Sequence, residues 1–284
     1  MDKDKATQPK TVTASQPVEC LKLKDGLFSR VKVGVVIEKE LPIYINGHHL
    51  VTASITPGME REFITGYLFG QGFINSAEEL ESVNIVDNTG QVAARDAAKI
   101  SDKAKKAGYR VVSGCGKTAF SGDPDYPKIH SDLQINKQTV FTAMKILFDK
   151  AEIYEDTEGV HSAGLFTAEA APICIVEDIG RHNCLDKLTG YALMNDVDCS
   201  HCFLVSTGRM ASEMAAKICR AGIPIAATKT AVTDKGLEIG RKCGMTVIGF
   251  VRDAGTRINT NMETRTFSEA GMKIYTSAER IENR

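Results

Sequence analysis

The feature that most constrains this chain is a repeated alternation in its second half. Short all-apolar runs, PICIVEDI, HCFLVST, IPIAATK and MTVIGFVR, are separated by the amphipathic stretches IGRHNCLDKLTGYALMN, GRMASEMAAKICRAG and TAVTDKGLEIGRKCG. A strand that is apolar on both faces must be covered on both faces, and helices between such strands supply the cover. The pattern predicts an α/β domain built on a largely parallel sheet with helices on its two sides. Just upstream, a helix carrying Val140, Phe141, Met144, Leu147 and Phe148 leads into two strands, HSAGLFT and APICIVEDI, separated by Ala168-Glu169-Ala170.

The first half has a different grammar. Residues 1–19 are polar and read as a mobile tail. From Arg30 the residues alternate, and Asn46-Gly47 between IYI and HHLV is a hairpin signal. Thr56-Pro57 reads as a helix start, with Thr as N-cap and Pro in the first turn, followed by Met59, Phe63, Ile64, Tyr67 and Leu68 on one stripe. A second hairpin is expected to turn at Asn88-Thr89-Gly90. These pieces predict a smaller α+β domain over residues 20–110. Residues 111–137, rich in Gly, Ser, Lys and Pro, read as a mobile loop, with the α/β domain following over 138–284.

The chain has 284 residues and a net charge of -1. So balanced a charge gives no overall attraction to nucleic acid or anionic lipid, and any anion site must be local. No run reaches the ~18 apolar residues of a membrane span, and the first twenty residues lack an export segment, so a cytoplasmic protein is expected. Eight cysteines (Cys20, Cys115, Cys174, Cys184, Cys199, Cys202, Cys219, Cys243) then read mostly as small buried hydrophobes rather than a disulfide framework.

In sheets of this type ligands bind beyond the carboxyl ends of the strands, where helix N-termini also point. Strand ICIVEDI ends in Gly180-Arg181-His182, HCFLVST in Gly208-Arg209, IPIAAT in Lys229, and MTVIGF runs into Val251-Arg252. Four successive strands thus bring a cation to one edge, two of them beside a glycine. Solvated charges past strand ends are common, but four on one edge favour a phosphate-bearing ligand. Glu177 and Asp178 at the same edge would offset part of the charge or orient Arg181, and His182 alone reads more readily as a structural partner than as a catalyst.

Cys115 stands apart, in VVSGCGKTAF. Its flanking glycines leave the sulfur accessible, and Lys103, Lys105, Lys106, Arg110 and Lys117 favour the thiolate. An exposed thiolate on a mobile loop suits a group that meets two partners in turn, although an incidental loop cysteine is the plain alternative. Cys199-Ser-His-Cys202 is a lone CxxC and a weak metal signal. A zinc deaminase needs H-x-E and P-C-x-x-C; here His161-Ser162-Ala163 lacks the Glu and Asp198 stands in place of the Pro, so no metal site is expected.

Several stretches together resemble the FdhD/NarQ family, sulfurtransferase accessory proteins of formate dehydrogenases: ELPIYINGHHL, TPGMEREFITGYLFGQGFI, SGCGK, TEGVHSAG, EDIGRHNCLDK, STGRMASEMAAK, AGIPIAATKTAVTDKGLEIG and MTVIGFVR. The resemblance spans roughly residues 37–260 in consistent order. It implies a cytidine-deaminase-like, three-layer α/β/α C-terminal domain carrying no catalytic zinc. It also implies a sulfurtransferase that accepts persulfide sulfur from a cysteine desulfurase and passes it to the molybdenum bis-guanine-dinucleotide cofactor of formate dehydrogenase. Cys115 would carry the persulfide, and Phe250, Val251, Arg252, Asp253, Ala254 and Gly255 would bind the cofactor, with Arg181, His182, Arg209 and Lys229 from the cationic edge. Two rival functions stay open: a cofactor chaperone that transfers no sulfur, and a zinc hydrolase using His161, Cys199 and Cys202. Whether the chain forms a homodimer or turns over as an independent enzyme is not specified by these motifs. One departure matters: the family loop commonly reads C-G-x-C-G-K, and this chain has one cysteine there. A lone thiol can hold a persulfide but cannot resolve it into an internal disulfide.

Overall fold

The computed structural model describes residues 13–96, 111–112, 126–252, 257–259, 264–266 and 270–282. The chain opens with an antiparallel ribbon, β1 (Ser15–Lys24) and β2 (Leu27–Val36), so the tail expected over residues 1–19 gives way to strand at Ser15. A five-stranded sheet follows, built from β3 (Lys39–Ile45), β4 (His48–Ile55), β5 (Leu80–Val86), β6 (Thr89–Ala94) and the short β7 (Val111–Val112), in the order β5-β6-β3-β4-β7. Its hairpins turn at Asn46-Gly47 and Asp87-Asn88, each with both central residues at positive φ. Two-residue turns of that hand match the strand twist, which is why Gly, Asn and Asp occupy them. The second turn therefore lies just before the expected Asn88-Thr89-Gly90.

Helix α1 (Glu60–Gly70) covers this sheet, packing Phe63, Ile64 and Leu68 against Leu41, Ile43, Ile55, Val83 and Val92. It starts later than Thr56-Pro57 predicted, because Gly58 and Met59 both lie in the left-handed region (φ 104° and 59°) and interrupt the backbone. Thr56 has another task. Its N–H donates to Asp178 Oδ2 (3.1 Å) and its hydroxyl accepts from Ile179 N–H (3.0 Å), joining the five-stranded sheet to the six-stranded sheet of the C-terminal half.

The C-terminal half holds a six-stranded sheet in the order β10-β9-β11-β12-β13-β16: β9 (His161–Phe166), β10 (Pro172–Asp178), β11 (Phe203–Ser206), β12 (Ile225–Thr228), β13 (Thr246–Arg252) and β16 (Gly271–Ile274). Only β11, β12 and β13 pair in parallel. β9 is antiparallel to both neighbours and β16 to β13, so the sheet is mixed and the largely parallel expectation is corrected. The reason is the short 167–171 link between β9 and β10, which permits a hairpin but not a crossover. The chain also forms β8 (Ile135–Asn136), which pairs with β17 (Ile281–Glu282), and the hairpin β14 (Arg257–Asn259) and β15 (Thr264–Thr266).

Side chains along the central strands alternate between two cores. Phe203, Val205, Ile225, Ala227 and Ile248 face α2 (Lys137–Asp149), whose Val140, Phe141, Met144 and Leu147 complete one apolar layer. Leu204, Ala226 and Val247 face the other side, against α4 (Arg181–Met194), α5 (Ser212–Arg220) and α6 (Asp234–Cys243). The short α3 (Glu152–Thr157) lies beside the β1–β2 ribbon, where Ser15 Oγ donates to Asp156 Oδ2 (2.6 Å). A mixed α/β fold with helix, sheet and helix layers is thus present, as the apolar pattern predicts.

Helices α1 and α4 cross at a contact that tolerates no side chain. A Cβ on Gly66 would lie 1.8 Å from Asp186 O, and one on Gly190 1.8 Å from Glu62 O. Around this crossing run two buried ion pairs, Lys187 Nζ to Asp178 Oδ2 (2.8 Å) and Lys217 Nζ to Asp186 Oδ2 (2.6 Å), and Lys187 also donates to Thr56 O (2.9 Å). Asn183 Nδ2 reaches both Asp178 Oδ1 (2.7 Å) and Ser54 O (2.8 Å). The N-terminal sheet is therefore fastened to the residues that end β10, beside the cationic edge.

Candidate functional site

Because β9 is antiparallel to β10 and to β11, strands β10, β11, β12 and β13 all point the same way. Their carboxyl ends share one edge, and the amino end of β9 lies there too. With neighbouring strands about 4.8 Å apart, the four intervals from β10 to β13 span about 19 Å. Arg181, His182, Arg209, Lys229 and Arg252 all follow these ends, as the sequence predicts, and they form two groups along the edge.

The first group lies around β9 and β11. Arg181 is the first residue of α4, and its side chain lies over Gly208, where a Cβ would come within 2.7 Å of Arg181 Cβ. Gly208 therefore makes room for the guanidinium base. Arg181 Nε is buried and has no hydrogen-bond partner among the described residues. Arg209 is exposed one residue on from Gly208. His161, half-buried at the amino end of β9, turns Nδ1 toward Thr207 Oγ1 (3.4 Å), while Thr207 holds the β9 backbone through Ser162 N–H (3.0 Å). Burial and the charges of Arg181 and Arg209 push the His161 imidazole below its ordinary value against a smaller opposing pull from Asp178. His182 is buried and sits 3.4 Å from Glu213 Oε2, so its ring is held by a carboxylate.

The second group lies around β12 and β13. Lys229 Nζ stands 4.2 Å from the centre of the Phe148 ring, and burial, then Arg252, push its ammonium below the usual lysine range. Arg252 and Lys273 both lie over the Phe250 ring, at 5.3 and 4.9 Å. Phe250 itself has φ 55°, a left-handed conformation that a bulky residue rarely adopts and that costs of order 1–3 kcal/mol. It marks a bulge: the β13–β16 register shifts between Gly249 and Arg252. Val251 is buried with 1% exposure in the apolar layer that α2 completes. Asp253, Ala254 and Gly255 lie outside the described residues, as does Cys115 with the rest of its loop over 113–125.

Sequence reasoning missed Thr207, Phe148 and Lys273, and considered His161 only as a metal ligand. His161 escaped because a residue at the start of a strand reaches this edge only when that strand runs antiparallel, which the short 167–171 link could have disclosed. The zinc alternative fails on the same topology. His161 pairs opposite Asp178, while Phe166, five residues along β9, pairs opposite Phe203, next to Cys202. That separation is about 16 Å along the strand, so His161 and Cys202 cannot share an ion. Burial also pushes the thiols of Cys174 and Cys199 up to about 12 and Cys202 up to about 11, and Cys184 well above its ordinary value. These four are protonated structural cysteines at neutral pH.

Residues 36–282 match the FdhD/NarQ family. A protein named Sulfur carrier protein FdhD from Methanothermobacter thermautotrophicus is 32% identical over 230 residues, covering 81% of this chain and 90% of the relative. Proteins of the same name from Bacillus subtilis and Listeria monocytogenes are 31% and 30% identical, covering 84% and 82% of this chain and 93% and 91% of their own. The crystal structure of a formate dehydrogenase accessory protein from Desulfotalea psychrophila superposes with a TM-score of 0.73 over 95% of this chain and 100% of its own, at 23% identity, which shows a shared fold.

Proposed function

The chain belongs to the FdhD/NarQ family, and on that premise we propose that it is a sulfur carrier for formate dehydrogenase, loading on Cys115 and delivering at the cationic edge. The observation that carries the delivery half is the convergence of Arg181, Arg209, Lys229 and Arg252 on one edge, with Arg181 Nε buried and unbonded among the described residues. A buried guanidinium N–H without an acceptor costs free energy unless a ligand supplies one. A molecule with several phosphates, such as the molybdenum bis-guanine-dinucleotide cofactor, suits an edge of this length and charge. Arg181, Arg209, Lys229 and Arg252 would hold its phosphates beside the Phe250 bulge, in the segment Phe250 to Gly255 that the family resemblance assigns to the cofactor. His182 would stand behind them, holding Glu213.

For loading, the Cys115 thiolate attacks the outer sulfur of a cysteine desulfurase persulfide. The desulfurase leaves as its thiolate, and Cys115 carries S–SH. The chain is then a transferase for sulfur in the sense that it exchanges one sulfane sulfur per cycle with each partner. The high values of Cys174, Cys184, Cys199 and Cys202 count against those four as carriers, and the SGCGK match to the family loop supports Cys115. No helix among the described residues is long and apolar enough to cross a membrane.

Mass spectrometry after incubation with a desulfurase and cysteine tests the loading. The expected result is an adduct of about 32 Da on Cys115. An adduct on Cys199 or Cys202 instead would overturn the assignment. Formate dehydrogenase maturation that survives Cys115→Ala would favour a chaperone that binds cofactor without transferring sulfur.

A further inference from the structure

His161 is a titratable group of the cationic edge that the family resemblance does not assign to ligand binding. His161 stands at the amino end of β9, beside Arg181 from α4 and Arg209 from the loop after β11. Its Nδ1 faces Thr207 Oγ1 at 3.4 Å, and Nε2 has no hydrogen-bond partner among the described residues. Thr207 fixes this orientation, since its hydroxyl oxygen accepts from Ser162 N–H and its own N–H donates to Ser162 O (2.9 Å). The remaining neighbours are accounted for. Asp178 is held by Lys187, Thr56, Gly180 and Asn183, Glu177 accepts the N–H groups of Ile153 and Tyr154, and Cys184 Sγ donates to the His161 carbonyl (3.3 Å). Two unbonded nitrogens, Arg181 Nε and His161 Nε2, therefore belong to one small cluster.

Burial, and after it the Arg181 guanidinium with a lesser push from Arg209, bias this half-buried imidazole toward its neutral form against the pull of Asp178. An anion seated on those guanidiniums cancels their field and adds an attractive charge of its own. We propose that His161 is a proton-coupled phosphate contact of this edge: the ring is neutral in the free chain, takes up a proton as a pyrophosphate-bearing ligand binds, and donates Nε2–H to a phosphate oxygen. This rests on the anion-site reading above and adds a residue and a pH dependence to it. Binding strengthens as pH falls, because protons and ligand bind together. Release is then favoured wherever the cluster meets a more alkaline or more competing environment.

The test uses the full chain and diguanosine pyrophosphate, whose two diester phosphates keep a constant charge across the range. Isothermal titration calorimetry is run between roughly pH 5.5 and 8, in two buffers of different ionisation heat. The native chain is expected to take up a proton on binding, with uptake peaking between the imidazole's values in the free and bound chain, and affinity rising by at most about tenfold for each unit of pH lost there. His161→Gln is expected to bind with no such uptake and a flat pH profile, whereas Arg209→Ala weakens binding at every pH. His182→Gln separates the second imidazole on this edge and is expected to leave the uptake in place. The ring Cε1–H signal of His161 in the native chain gives a readout free of substitution, and saturation with ligand is expected to move its titration upward. Uptake that persists in His161→Gln, or native binding without uptake, overturns the inference and leaves the anion site standing. Absence of any binding sinks both.

Discussion

The substitution Lys187→Met probes the fastening between the two sheets. Lys187 is 2% exposed and Asp178 wholly buried, with 2.8 Å between ammonium and carboxylate. Met fills the same volume without charge, so packing is nearly conserved and the carboxylate is left with Thr56 N–H, Gly180 N–H and the Asn183 amide as donors. Removing one member of a buried pair costs about 3–5 kcal/mol. At about 2–4 °C per kcal/mol for a chain of this size, the melting temperature should fall by roughly 6–20 °C. Circular dichroism melts and urea titrations measure it. The double variant D178N/K187M, which removes both charges, should recover a large part of the loss, because the penalty lies in the orphaned carboxylate rather than in the missing attraction. A K187M melting point within about 2 °C of the native one, or a double variant that simply sums two losses, would refute the reasoning.

Other outcomes follow from single contacts. Gly190→Ala sets a methyl 1.8 Å from Glu62 O, so α1 and α4 must part by more than 1 Å to reach even 3.0 Å; a loss of about 1–3 kcal/mol is expected in urea titrations, with less than twice that when combined with Gly66→Ala. His161 in the folded chain is held below its ordinary 6.5, so the unfolded chain binds more protons between those two values; stability should fall as pH drops through that window and level below it, and His161→Gln should remove that component of the urea-midpoint profile. Arg220 donates to Phe69 O (2.6 Å) and Ile74 O (2.9 Å) at the end of α1 and lies over the Phe69 ring, so Arg220→Ala takes the donor from Ile74 O, while Phe69 O keeps the Gly72 N–H, and should cost about 1–3 kcal/mol in thermal melts.

Much of the fold was legible because it rests on local pattern. The all-apolar runs became β10 to β13 and the stripes between them became α4 to α6, as period and burial require. Asn46-Gly47 became the predicted turn because few residues accept two consecutive positive φ angles. Thr56 misled for an equally physical reason: its polar groups, which resemble a cap in sequence, are used by Asp178 and Ile179, more than a hundred residues away.

By itself the sequence determined the order of elements, the cation after each strand and the candidate thiol, since each depends on neighbours a few positions apart. Tertiary structure decided which way β9 runs, and therefore that His161 joins the cations while Cys202 lies at the far end. It also decided that Gly66 and Gly190 meet and that Phe250 sits in a bulge. Strand direction and helix crossing come from packing between distant segments, and no local pattern in the chain encodes which distant segment that will be.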